Sequence, residues 1–182
     1  MCGIVGVFNL NKETVYRDQL KSMAAKIAHR GPDGQGLFIK NNIGLAHKRL
    51  AILDVSEKGS QPMSSKNSEW TLIFNGCIYN FLELKQELKA KGHTFVSETD
   101  TEVICEGLAS EGPSFFEKLN GMFAIAAWNE KTQELFLSRD RFGIKPLYYW
   151  FNGKTLCFAS ENKAIIQHTD YKIDVDLGAL NE

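Results

Sequence analysis

Residues 1–9 read MCGIVGVFN, a cysteine directly behind the first methionine and at the head of an apolar run. A short unbroken run of valine, isoleucine and phenylalanine closed by the polar NLNKE reads as a buried strand. Cys2 at its head then has two readings. It is either a small inert hydrophobe, since free cysteine is commonly buried, or a nucleophile. If Met1 is removed, residue 2 carries a free α-amine with a pKa of about 8 beside a thiol with a pKa of about 8.5, and the amine can serve as general base.

Outward from this strand the chain mixes strands and helices without a repeat or a low-complexity segment. Leu20, Met23, Ala24 and Ile27 recur at helical spacing through YRDQLKSMAAKIAH, which ends at the turn-rich HRGPDGQG of residues 29–36. Strands are expected in GLFIK, in IGLAHKRLAILD and, after the polar loop SEKGSQPMSSKNSE, in WTLIFN. NFLELKQELKAKG reads as an amphipathic helix with Asn80 as N-cap and Gly92 as its stop. Thr99 with Glu102 predicts a capping box opening the helix DTEVICEGLASEG. Two hairpins follow, GMFAIAAWNEKTQELFLSRD and LYYWFNGKTLCFAS, the second turning on Asn152-Gly153. Many strands with few helices to cover them predict an α+β layered sandwich, one continuous domain over residues 1–182.

Composition narrows the function. The 182 residues are 43% hydrophobic, enough for a sizeable core. Lys+Arg total 21 against 22 for Asp+Glu, without a run of like charge, so neither nucleic acid nor an anionic membrane is expected as a partner. The opening residues lack a basic leader and no apolar stretch approaches the roughly 20 residues that cross a bilayer, so the cytoplasm is the expected location. Cys2, Cys77, Cys105 and Cys157 are scattered, without a C-x-x-C pair or a Cys/His cluster, and read as separate reduced thiols rather than a disulfide framework or metal site.

Four further stretches join MCGIVGVF: HRGPDGQG at 29–36, HKRLAILD at 47–54, FNGCIYN at 74–80 and SRDRFGIKPLYY at 138–149. Together, over nearly the whole chain, they resemble the glutaminase domain of asparagine synthetases, a class II glutamine amidotransferase domain. The resemblance implies the N-terminal-nucleophile hydrolase fold, a four-layer αββα sandwich of antiparallel sheets. Glutaminase domains that feed sugar or purine synthases are also similar at MCGIVG, but they carry RGYDS or RGQDS types of motif where Arg30-Gly31-Pro32-Asp33 stands here, and they lack GIKPLYY.

The resemblance makes Cys2 the nucleophile and assigns the Asn75 carboxamide and the Gly76 N–H to an oxyanion hole, the donors that amide hydrolysis through a thiolate requires. Taken alone, Asn75-Gly76 is equally the strongest short hairpin signal. Glutamine also carries an α-carboxylate and an α-ammonium, which call for a guanidinium and a carboxylate beyond the reacting amide. The resemblance puts Arg49 on the carboxylate, helped by backbone groups around Leu50 and Ile52, and Asp100 on the ammonium. Taken alone, Arg49 is a solvated edge-strand cation and Asp100 an acid favoured at a helix start. HRGPDGQG resembles a flap over the substrate with Arg30 as anchor, or else a plain Pro-Asp-Gly turn. Arg139, Asp140 and Arg141 are expected to form a structural ion-pair network.

One position departs from the family pattern F-N-G-E-I-Y-N: Cys77 stands where the glutamate belongs. That glutamate is expected to help hold the α-ammonium, and a neutral thiol cannot replace a charge-assisted hydrogen bond of about 1.5–3 kcal/mol. Weakened glutamine binding is therefore expected, unless a nearby acid such as Glu98 substitutes. A glutamine-binding or structural module without turnover is the rival class, and a glutaminase domain serving a different synthetase a third reading. The sequence stops at LGALNE before any nucleotide-binding loop, so residues 1–182 are expected to be either an excised domain without its C-terminal synthetase domain, the favoured reading, or a free-standing ammonia donor. No cofactor is expected here, ATP and Mg belonging to the absent part. Expected partners are L-glutamine and that synthetase domain, with a homodimer as a further candidate.

Overall fold

In chain order the residues form β1 (Gly3–Asn9), α1 (Arg17–Ala25), β2 (Gly34–Lys40), β3 (Ile43–Arg49), β4 (Met63–Ser64), β5 (Trp70–Ile78), α2 (Phe81–Ala90), α3 (Asp100–Glu111), β6 (Gly121–Asn129), β7 (Glu134–Arg139), β8 (Tyr148–Phe151), β9 (Thr155–Ala159) and the short α4 (Asn162–Ile165). The computed structural model describes residues 1–173, so LGALNE lies outside the described residues.

The apolar composition of β1 follows from its place. It is hydrogen-bonded on both edges, to β3 and β9, in an antiparallel sheet of order β2-β3-β1-β9-β8. Both faces are covered as well. Val5 and Val7 pack against Leu20, Met23, Ala24 and Ile27, the helical stripe expected from the sequence, while Ile4 and Phe8 face Ile73, Ala126 and Trp128 of the second sheet. That second sheet has the order β4-β5-β6-β7. Its strand β5 sends Leu72 and Phe74 under Leu84 of α2 and Val103 and Leu108 of α3, and Ile73 back toward the first sheet. Each such side chain, fully buried, contributes about 1.5–3 kcal/mol, and alternation along two central strands is enough to stack helix, sheet, sheet and helix. This is the expected α+β sandwich of antiparallel sheets. None of the described helices is long and apolar enough to cross a membrane.

Both expected hairpins form, β6–β7 and β8–β9, with Gly153 in the left-handed region at φ +89°. Gly92 likewise ends α2 at φ +93°, where the His93 N–H returns to the Leu88 carbonyl. Four local expectations need correction. The strand through HKRLAILD stops at Arg49, because β1 starts at Gly3 opposite Lys48 and β2 starts at Gly34 opposite Arg49, leaving no neighbour to extend it. Asn80 occupies the N-cap position of α2, but its side chain donates to the Lys118 carbonyl and accepts the Asn120 N–H instead. At α3 only half the capping box exists: Thr99 Oγ1 accepts the Glu102 N–H, whereas the Glu102 carboxylate takes the N–H groups of Val96 and Ser97. The Arg139-Asp140-Arg141 ion-pair network is absent among the described residues. The Asp140 carboxylate accepts backbone N–H groups from Phe123, Phe142, Ile144 and Lys145, and Arg139 donates to the carbonyls of Lys145 and Gly143.

Asp140 therefore ties the loop after β7 to the edge of β6. Burial works against its charge, but the four amides hold its carboxyl below the usual range. Asp140→Ala is expected to lower stability by about 2–4 kcal/mol, because it strands several amide donors at once. Urea denaturation at pH 7 checks this, and a midpoint unchanged from wild type would contradict it.

Candidate active site

The alternation that builds the cores also builds a site. Cys2 lies two residues before Ile4, on the face that looks toward the second sheet, and Asn75 and Cys77 follow Ile73 on the face that looks back. Cys2, Arg49, Leu50, Ile52, Asn75, Gly76, Cys77 and Asp100 all border one cavity of about 340 Å³ at this end of the seam. These eight sequence-predicted residues are brought together, whereas Arg30 and Glu98 lie outside the cavity lining.

Asn75 and Gly76 are not a turn. They lie inside β5, opposite Ala124 and Phe123 of β6. A Cβ at position 76 would come within 2.2 Å of the Met122 carbonyl oxygen and 2.8 Å of Phe123 Cα, so only glycine permits the approach of the two strands there. Asn75 is 1% exposed and its Nδ2 donates to nothing. A buried amide donor without an acceptor costs about 1–3 kcal/mol, so the fold carries this group at a loss.

The backbone of the residue before Asn75 is clamped on both sides. β4 covers only Thr71 and Leu72, which leaves the Phe74 N–H and C=O on the uncovered edge of β5. Gln61 Oε1 accepts the N–H at 2.6 Å, and His47 Nε2 donates to the carbonyl at 3.2 Å. Burial lowers the His47 pKa to about 4, so the ring is neutral at pH 7, and its proton sits on Nε2 where the carbonyl requires it. Gln61 Nε2 in turn donates to Thr101 Oγ1, linking the clamp to the start of α3.

The Leu50 N–H donates to Cys2 Sγ at 3.3 Å. Burial pushes the Cys2 thiol above its ordinary value, opposed by that N–H, by the terminal ammonium and by Arg49. Arg30 Nε donates to the Cys2 carbonyl at 3.0 Å and Nη1 to Glu161 at 2.9 Å. Burial works against the Glu161 charge as well, but Lys163, Arg30 and His29 together hold its pKa at about 2. Arg30 thus ties the N-terminal segment to Glu161. The loop at 31–33 is fixed separately: Gly31 packs against the Lys48–Arg49 backbone, the Asp33 N–H donates to the Arg49 carbonyl, and Asp33 Oδ2 accepts the Ala51 N–H at 2.9 Å.

Arg49 is preset by the loop after β3, with Nη1 donating to the Ser56 carbonyl at 2.8 Å and Nη2 to the Asp54 carbonyl. Asp100 opens α3, is 4% exposed and accepts the Ile78 N–H at 3.0 Å; burial raises its pKa to about 6. Burial and the nearby Asp100 push the Cys77 thiol up, against Lys145. Glu98 does not border the cavity; it accepts from Lys85 Nζ at 2.8 Å. All four cysteines are free, Cys105 and Cys157 fully buried. Among the described residues no His/Cys/Asp/Glu group could hold a metal ion.

Sequence reasoning missed His47, Gln61 and Lys145. The lysine stood in plain view within GIKPLYY, and Gln61 within a loop read only as polar.

An antiparallel helix–sheet–sheet–helix sandwich with a cysteine at the head of an inner strand is the architecture of the N-terminal-nucleophile hydrolases. The same fold occurs in the Bacillus subtilis glutamine phosphoribosylpyrophosphate amidotransferase solved with ADP and GMP, at a TM-score of 0.76 and 23% identity over 90% of this chain and 43% of that one. The family model of the glutamine amidotransferase domain matches residues 1–182, and the chain belongs to that family. It is 44% identical over 178 residues to asparagine synthetase [glutamine-hydrolyzing] 1 of Bacillus subtilis (strain 168), covering 96% of this chain and 28% of that protein. It is 36% identical over 168 residues to asparagine synthetase B [glutamine-hydrolyzing] of Escherichia coli (strain K12), covering 91% of this chain and 30% of that protein. The chain thus spans less than a third of the length of these relatives.

Proposed function

We propose that this domain hydrolyses L-glutamine to glutamate and ammonia through Cys2, and that the ammonia serves an ATP-dependent amidation of aspartate to asparagine by a synthetase domain in a longer protein. The observation that carries the reading is the buried Asn75 amide, a donor without an acceptor, bordering the same cavity as the Cys2 sulfur. Such a donor is explained by an oxyanion that exists only during reaction.

With Met1 removed, the Cys2 α-amine takes the thiol proton and the thiolate adds to the γ-carbonyl carbon of glutamine. The Asn75 carboxamide and the Gly76 N–H stabilise the resulting oxyanion. Collapse breaks the C–N bond, and the proton held by the amine leaves with the nitrogen as ammonia. Water, deprotonated by the same amine, then adds to the γ-glutamyl thioester and releases glutamate with the thiol restored. Arg49 grips the α-carboxylate and Asp100 the α-ammonium, neither of which changes during the reaction. No cofactor takes part in this half of the chemistry; ATP and Mg belong to the synthetase half. Binding without turnover is favoured by one feature, the neutral Cys77 in place of the family glutamate.

The test is ammonia release by processed protein. Cys2→Ala and a chain that retains Met1 should both be inactive, Asn75→Ala should lower kcat by on the order of 100-fold, and Arg49→Ala should chiefly raise KM. Turnover by Cys2→Ala, or loss of binding alone in the Asn75 variant, would defeat the mechanism.

Asp100 adds a pH signature. Its carboxylate is present above about pH 6 and lost below, so glutamine binding should weaken as pH falls. Calorimetry on the Cys2→Ala protein should find binding about tenfold weaker at pH 5 than at pH 7, and an Asp100→Asn partner should be weak and flat. Equal affinities at the two pH values would remove Asp100 from the ammonium contact.

Cys77→Glu restores a carboxylate at the position where the family has one and should lower KM for glutamine about tenfold, equivalent to about 1.4 kcal/mol. An unchanged or higher KM would place residue 77 outside the ammonium contact.

A further inference from the structure

Lys145 is a buried cation that the mechanism above does not use. Its residue is 7% exposed, its backbone N–H is fixed by Asp140 Oδ2 at 3.0 Å, and its side chain borders the same cavity as Cys2. The ammonium has no carboxylate partner in any ion pair of the described residues. Its hydrogen bond goes to Met1 Sδ at 3.1 Å. A thioether is a weak acceptor, so the charge is held in the cavity wall with little to satisfy it.

That partner is the residue whose removal the proposed mechanism requires. The Met1 sulfur is a short covalent path from the Cys2 nitrogen, so bond lengths alone keep Lys145 Nζ within about 10 Å of that nitrogen. We propose that Lys145 is a positioning residue for the general base: once Met1 leaves, its ammonium faces the new Cys2 terminus and holds that α-amine in the unprotonated form that accepts the thiol proton. The inference rests on the N-terminal-cysteine reading of the site.

The other charges around the terminus do not replace this bias in the substrate complex. Asp100, from the start of α3, and Asp54, from the loop after β3, are anions that favour a protonated amine. Arg49 is a cation that acts on Cys2 in the same sense, but its guanidinium is held on the Ser56 and Asp54 carbonyls and is met by the substrate carboxylate once glutamine binds. Arg30 is neutralised by Glu161, and His47 is uncharged near neutrality. Cys77, on β5, contributes a thiol whose charge is suppressed by burial and by Asp100. Lys145, from the loop between β7 and β8, is the cation that still opposes the two acids when the substrate carboxylate engages Arg49.

The test uses processed protein, with Met1 removal confirmed by mass, as wild type, Lys145→Met and Lys145→Arg. Two profiles are recorded against pH: kcat/KM for glutamine, and the rate of iodoacetamide alkylation at Cys2 followed by peptide mass. A unit charge at this range moves an amine by about half to one pH unit, so the acid limb of kcat/KM in Lys145→Met should lie higher by that amount. The alkylation midpoint should move the same way, and Lys145→Arg should restore both. Lys145→Gln, neutral and polar, takes the place of the methionine variant if that one fails to fold. Profiles of the neutral variant that coincide with wild type overturn the proposal, as does an arginine variant displaced as far as the neutral one. Absence of glutamine turnover in wild type with the alkylation shift intact would instead sink the glutaminase reading and leave Lys145 standing.

Discussion

A strand that is hydrogen-bonded along both edges and covered on both faces can offer only its ends to a substrate, and β1 is such a strand. Its pairing with β3 and β9 fixes where Cys2 emerges, and everything at the site is measured from that point. The register that sets Gly3 opposite Lys48 brings Arg49 and Leu50 alongside Cys2, so the guanidinium and the N–H that meets the sulfur arrive together. A slip of one residue would turn Ile4 out of the seam and Cys2 with it. The buried apolar ladder thus does the aiming, which is more rigid than any loop could be.

The second sheet answers the first with the same economy. Asn75 is held from behind by Phe74, whose backbone N–H and C=O end on Gln61 and His47, and beside it Gly76 allows β6 to approach where a side chain would collide. The clamp exists because β4 is only two residues long. Had it continued, strand pairing would have satisfied Phe74, and neither Gln61 nor the buried, neutral histidine would be needed. Gln61 also reaches Thr101, so the carboxylate that begins α3 and the amide on β5 are referred to one another through a single side chain.

Most of this architecture was legible in the sequence, because alternation and helical spacing report burial directly: the MCGIVGVF strand, the Leu20–Ile27 stripe and both late hairpins stand where the pattern put them. Polar side chains were less legible, since pattern gives their place but not their partner. Asn80 and Glu102 sit at the expected helix starts and bond elsewhere, and Asp140 between two arginines bonds to neither. Asn75-Gly76 and Asn152-Gly153 are identical dipeptides with opposite outcomes, one inside a strand and one in a turn, and only the partner strand β6 decides the first. His47 and Lys145 lay inside quoted motifs and Gln61 in a loop read only as polar, but no local pattern names their partners, Phe74 for the histidine and the glutamine and Met1 for the lysine, which only tertiary structure brings to them.

The fastening of Asp33 to Ala51, with Gly31 seated on the backbone of Lys48 and Arg49, has an entropic consequence. The loop at 31–33 shares hydrogen bonds with the segment after β3 that borders the cavity, so the two are tied together before any ligand arrives. Ordering a free residue costs about 1–2 kcal/mol, a charge usually levied on binding. Here folding has already met it for both loops together. A ligand that engages Arg49 therefore meets a preassembled rim, and displacement of residues 31–33 cannot occur without disturbing the segment that carries Leu50 and the sulfur's N–H partner.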